Sequence, residues 1–178
     1  MDASLVVNAA DLYLRQFAAV VPSALKEDIR KEMLSHGSTP KNQVELLSVI
    51  MGEDEPDSTA PERIYGTFFD HDRRFPTNEE IISHVGAMYP KTVQFATEGE
   101  VGKAARWFGF IAGATFIEWG VYTSRREGYG YACVAAEFAK TSASDELIES
   151  YIHIGFAQGT LWAIGAYSIS ELRAHNTA

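Results

Sequence analysis

The stretches WFGFIAGATFIEWGVY, residues 107–122, and YIHIGFAQGTLWAIGAYSI, residues 151–169, are apolar nearly all round when wound as helices. Such a helix is buried on most sides or lies in lipid. A membrane span needs about 20 apolar residues, and Glu118, His153 and Gln158 interrupt these two runs. Both are therefore expected as core helices. They are also weakly alike: Gly109-Phe110-x-x-Gly113 matches Gly155-Phe156-x-x-Gly159, and Gly120-Val121-Tyr122-Thr123 matches Gly165-Ala166-Tyr167-Ser168 across a one-residue gap. Small residues four apart let two helix backbones approach closely. Each interior glycine costs about 1 kcal/mol of helix propensity, and close packing is the expected compensation. The two helices are expected to pack together at the centre, with amphipathic helices around them.

Helix signals recur on both sides of this pair. Residues 3–21 carry Leu5, Val6, Ala9, Leu12, Tyr13, Phe17, Val20 and Val21 as one helical stripe. Pro22-Ser23 stops that helix and caps a second over 24–35, which ends at Gly37. Thr39-Pro40 opens a third through Val44, Leu47 and Ile50. Residues 52–60 read as an acidic loop. Three pairs have the capping-box form, in which a hydroxyl and a carboxylate three residues on satisfy each other's amides: Thr59…Glu62, Thr77…Glu80 and Thr97…Glu100. They predict helices over 61–70, 78–88 and 98–123. A turn around Gly128 and Gly130 leads to a helix over 131–140, and Ser142…Asp145 starts a last long helix to about residue 173. No run alternates as a strand would. The expected fold is all-α: a single-domain helical bundle spanning 1–178, with about seven or eight helices around the two glycine-containing ones.

Composition narrows the function. The 178 residues are 46% hydrophobic and 22% charged, enough for a real core and unlike a disordered chain. The single cysteine, Cys133, excludes an internal disulfide framework and a thiolate-built zinc site. Asp2 and Asp11 stand where a secretion signal needs positive charge, so a reducing cytoplasm is the expected location. The 15 basic residues against 24 acidic ones give a net charge of −9, and no basic run exceeds Arg73-Arg74 or Arg125-Arg126. Direct nucleic-acid binding lacks its electrostatic footprint. The acid concentrates in residues 1–90, with 15 acids and 8 bases, and is densest at Glu53-Asp54-Glu55-Pro56-Asp57. Such a cluster is ordinarily a solvated loop; the sharper reading is a docking site for a basic partner.

Catalytic chemistry finds little support. His36, His71-Asp72 and Asp145 occur in the order H…HD…D, which resembles the sparse signature of the HD-domain phosphohydrolases. That resemblance implies a divalent metal held by imidazole and carboxylate, which activates water for attack on phosphate. The context differs from the family: the pair is followed by Arg73-Arg74-Phe75-Pro76, which reads as a helix ending, and Asp145 is accounted for at a helix start. Glu80 with His84 and Glu149 with His153 share helix faces one turn apart, although di-metal bundles use the shorter Glu-x-x-His spacing. Cys133 lies in a small apolar run and reads as a small hydrophobe. No nucleophile elbow, phosphate-cradling loop or dinucleotide fingerprint is present. No catalytic residue, metal or cofactor is assigned.

Two further features invite a binding role. Glu118 interrupts an apolar helix and must find a partner or take up a proton. A hydrogen bond to Tyr122, Gln158 or His153 would satisfy it; the sharper alternative is a pocket lined by Trp107, Trp119 and Trp162 that holds a polar or cationic ligand. Tyr65-Gly66-Thr67-Phe68-Phe69 follows the acidic loop, and aromatics so dense are core residues unless exposed. The leading expectation is a non-catalytic protein-binding protein: an adaptor, an inhibitor or an immunity-type partner. It would meet a basic protein surface through Glu53, Asp54, Glu55, Asp57, Phe68 and Phe69. The alternatives are the metal-dependent phosphohydrolase and a small-molecule binder around Glu118. Glycine-rich central helices suit an internal core and a homodimer interface equally well.

Overall fold

The computed structural model of the protein describes residues 2–20, 74–119 and 125–177. The expected helices over 24–35, 39–50 and 61–70, the loop 52–60 and the Thr59…Glu62 box lie outside the described residues. Among the described residues there are six α-helices and no strand: α1 (Ala3–Val20), α2 (Asn78–Thr97), α3 (Val101–Trp119), α4 (Arg125–Ser142), α5 (Leu147–Ala163) and α6 (Ile169–His175). The class is all-α, and no described helix is long and apolar enough to cross a membrane.

The centre is the α3–α5 contact, the most extensive between any two of these helices. Its geometry is reciprocal. A Cβ on Gly109 would lie 2.0 Å from the Ile152 carbonyl oxygen, and one on Gly113 would lie 2.2 Å from that of Phe156. In return, a Cβ on Gly155 would lie 2.0 Å from the Arg106 oxygen and one on Gly159 would lie 2.2 Å from that of Phe110. Each helix thus seats its carbonyls on the bare α-carbons of the other, an approach only glycine permits. Around this pair, α2 covers α3, α4 covers α5, and α1 lies chiefly against α4. From Ser150 to Ala163, α5 is buried at every residue except Ile152 and Trp162, as its lack of a polar stripe requires.

The helix ends correct several sequence boundaries. The Thr77…Glu80 box forms as expected, and the Glu80 carboxylate also takes both Arg74 nitrogens, at 2.6 and 2.8 Å. Helix α2 then continues through Pro90 to Thr97, past the expected stop at residue 88. Packing beyond the proline holds those turns, with the Phe95 ring 5.9 Å from that of Trp107. Thr97 does not cap α3; its hydroxyl donates back to the Val93 carbonyl. The chain turns instead at Gly99 (φ +78°), where the Glu100 amide donates to Phe95 and the Gly99 amide to Ala96, the Schellman arrangement. At α5, Gly165 (φ +72°) makes the same turn, with the Ala166 and Gly165 amides donating to Leu161 and Trp162. The expected single helix to residue 173 is therefore two helices, the second opened by a Ser168…Glu171 capping box.

Two more boundaries differ from the expected ones. Gly128 and Gly130 are helical, within α4, rather than in a turn; a Cβ on Gly128 would meet Ile164 Cγ2 at 2.4 Å. Ser142 ends α4 instead of capping α5, which begins after Glu146 with no side-chain cap.

The glycine interface makes a paired prediction. Gly109→Ala or Gly155→Ala forces two backbones apart and is expected to cost about 3 kcal/mol or more. Gly86→Ala, where a Cβ meets nothing within 4 Å on an exposed helix face, is expected to stabilise by about 0.5–1 kcal/mol. Denaturant melts of the three variants check both signs.

Candidate ligand-binding cleft

The expected partner-binding residues Glu53, Asp54, Glu55, Asp57, Phe68 and Phe69 lie outside the described residues, as do His36, His71 and Asp72. Asp145 is exposed in the turn between α4 and α5. Among the described residues, no three His, Cys, Asp or Glu side chains come together as a metal group. Glu80 is committed to its cap and to Arg74, whose guanidinium holds its carboxyl down at about 2. One turn on, His84 packs its ring against Trp162 at 4.4 Å and Phe110 at 5.7 Å. His153 is wholly buried, 3.4 Å from Glu149 and against the Phe138 ring. Cys133 is buried and donates to the Tyr13 carbonyl at 3.3 Å, a core role.

The pocket expected around Glu118 is not assembled from Trp107 and Trp162. Trp107 packs on Phe95 near the start of α3, whereas Trp162 packs on His84 and Phe110 and lines a different, open depression above α2. The Trp119 side chain and Tyr122 lie outside the described residues. Nor do His153 and Gln158, the two α5 groups expected as its partners, reach Glu118. His153 turns to Glu149, and Gln158 donates to the Tyr13 hydroxyl at 3.2 Å and to Asn176 Oδ1 at 3.0 Å.

That glutamine belongs to a buried polar network the sequence reading missed. The Tyr13 hydroxyl accepts from Gln158 and shares a hydrogen bond with His175 Nδ1 at 2.9 Å. Tyr129 donates to Gln16 Oε1 at 2.9 Å, and Tyr167 donates to the same oxygen. Burial pushes the Tyr13 phenol far above its usual range, so it stays a neutral hydrogen-bonding group. The sequence signal was present: Tyr13 and Gln16 lie one turn apart on α1, but their partners are more than a hundred residues away.

Beside this network lies a cleft of about 920 Å³ framed by α1, α2, α3, α5 and α6. Leu5, Met88, Phe95, Val101, Trp107, Phe110, Ile169 and Leu172 give it an apolar lining. Gln158 and Asn176 present amides to it, and Lys103, Arg106 and Arg173 bring positive charge. The turn at Gly99 and Glu100 forms one border. Lys91 stands 5.2 Å over the Trp107 ring and Lys103 stands 5.4 Å over that of Phe95, so the aromatic wall carries cations on its outer faces. A concave, mostly apolar space with a few convergent polar groups is the usual form of a small-molecule site.

The histidines make stability depend on pH. Burial holds His84, His153 and His175 below the ordinary 6.5, against the upward pull of Glu149 on His153 and Glu171 on His175. Arg173 and Lys91 depress His84 further. An unfolded chain takes up these protons first, so stability is full above 6.5 and falls as pH drops below it. Denaturant midpoints are expected to decline between about pH 7 and 5.5, with a flatter decline in His153→Gln.

Comparison of the chain with protein-family models, with curated proteins and with solved structures finds no match, so its functional reading rests on the cleft.

Proposed function

We propose that the protein binds a small molecule, taking a largely apolar ligand into the cleft between α1, α2, α3, α5 and α6. The observation that carries this reading is the cleft's size and lining together. Ligand sites commonly measure about 300–1,000 Å³ and expose apolar walls with sparse polar groups, and this one has about 920 Å³ lined by Met88, Trp107, Phe110 and Leu172. Left open to water, that apolar surface costs free energy that a ligand's own apolar surface would recover. Two of the cleft's walls, α3 and α5, are locked together by the glycine interface, which favours a preformed site on that side.

Trp107 reports on occupancy because its ring lines the space. Titration with Nile red, a neutral apolar dye, is expected to saturate at one equivalent and to change tryptophan emission, and Trp107→Phe is expected to remove most of that change. A dye signal that rises without saturation, or an emission change untouched by Trp107→Phe, sinks the assignment to this cleft.

A further inference from the structure

The charge of the cleft runs against the charge of the chain. The whole sequence carries −9, yet the cleft is lined by Lys103, Arg106 and Arg173 against the single carboxylate of Glu100. Glu100 is already paired with Lys103 at 2.8 Å. Two guanidinium groups remain, and neither makes a side-chain hydrogen bond or ion pair among the described residues. Arg173 stands exposed on α6, where water can solvate it. Arg106 is different. It is half-buried on α3, beside Tyr151, and shares the cleft lining with Trp107, Phe110 and Leu5.

A cation withdrawn from water without an acceptor is costly, and proteins normally pair such groups. Burial accordingly pushes the Arg106 guanidinium below its usual range, while Tyr151 only partly opposes the shift. Arginine keeps its charge regardless, so relief requires an anion. The neighbouring polar groups cannot provide one: Gln158 is engaged with Tyr13 and Asn176, and the Tyr151 hydroxyl is engaged with the Asp2 backbone. The planar fork of a guanidinium fits a carboxylate through two parallel hydrogen bonds. The apolar wall beside it suits a hydrocarbon or aromatic body.

We propose that the ligand of this cleft is a carboxylate-headed amphiphile, its head held by Arg106 and its apolar body against Trp107, Phe110 and Met88. This rests on the small-molecule reading above and adds the charge of the ligand to it. Arg173 lies on the same lining and strengthens the attraction at longer range.

The test compares decanoate with decanol, which share a chain and differ in the head, on the full chain and on Arg106→Met. Affinities are read by displacement of Nile red. Arg106→Met is expected to weaken decanoate at least about tenfold and to leave decanol within about twofold, since a hydrogen-bonded charge pair is lost while the side chain's apolar bulk is kept. Retained decanol binding also shows that the variant is folded. Decanoate affinity that survives Arg106→Met, or wild-type protein that takes decanol and rejects decanoate, overturns the anionic ligand while the cleft reading stands. Failure of both compounds, together with failure of the dye, overturns both.

Discussion

The backbone-to-backbone seat between α3 and α5 is the constraint on which the rest of the structure depends. Gly109 and Gly113 receive the carbonyls of Ile152 and Phe156, and Gly155 and Gly159 receive those of Arg106 and Phe110. The same two residues, Arg106 and Phe110, line the cleft. The register of the interface therefore fixes where the cationic group and the aromatic wall stand. A slip of one turn would carry both out of the cleft, so packing at the centre and geometry at the candidate site are one property.

Around that seat, the described helices are joined by polar contacts as well as by apolar packing. Gln158 links α5 to α1 and to the segment after α6, Gln16 gathers tyrosines from α4 and from the α5–α6 connection, and Ser150 donates to the Ala139 carbonyl at 2.6 Å. Each of these groups would be expensive to bury alone. Satisfied together, they favour this arrangement of α1, α4, α5 and α6, because another alignment would have to find new partners for the same donors and acceptors.

The central pair was legible because its signal is local: apolar residues all round, with glycines at four-residue spacing, require a close neighbour of the same kind. The Thr77 cap was legible for the same reason. Thr97…Glu100 has the identical pattern and failed, since Gly99 between them takes a left-handed turn that ends α2, and pattern alone does not say on which side of a hydroxyl the helix lies. The break at Gly165 was hidden inside an apolar run, although Ser168…Glu171 marks the next start by the rule used elsewhere. The helix expected over 78–88 runs on through Pro90 to Thr97, although a proline removes one amide, and Phe95 in those added turns packs on Trp107. The cleft could not be read at all. Its lining comes from five helices, and the pairing of Arg106 with an apolar wall exists only in three dimensions. The pocket sought around Glu118 assumed that tryptophans on long helices converge, whereas Trp107 and Trp162 face different spaces.

The reciprocal glycines also limit how this chain can change. Where two side chains meet, an enlargement on one helix can be suppressed by a reduction on the other. Here the opposing atoms are main-chain carbonyl oxygens, which no substitution can trim. A larger residue at Gly109, Gly113, Gly155 or Gly159 thus has no second-site suppressor across the interface. The four positions must persist together, or the two helices must abandon this separation and everything suspended from it.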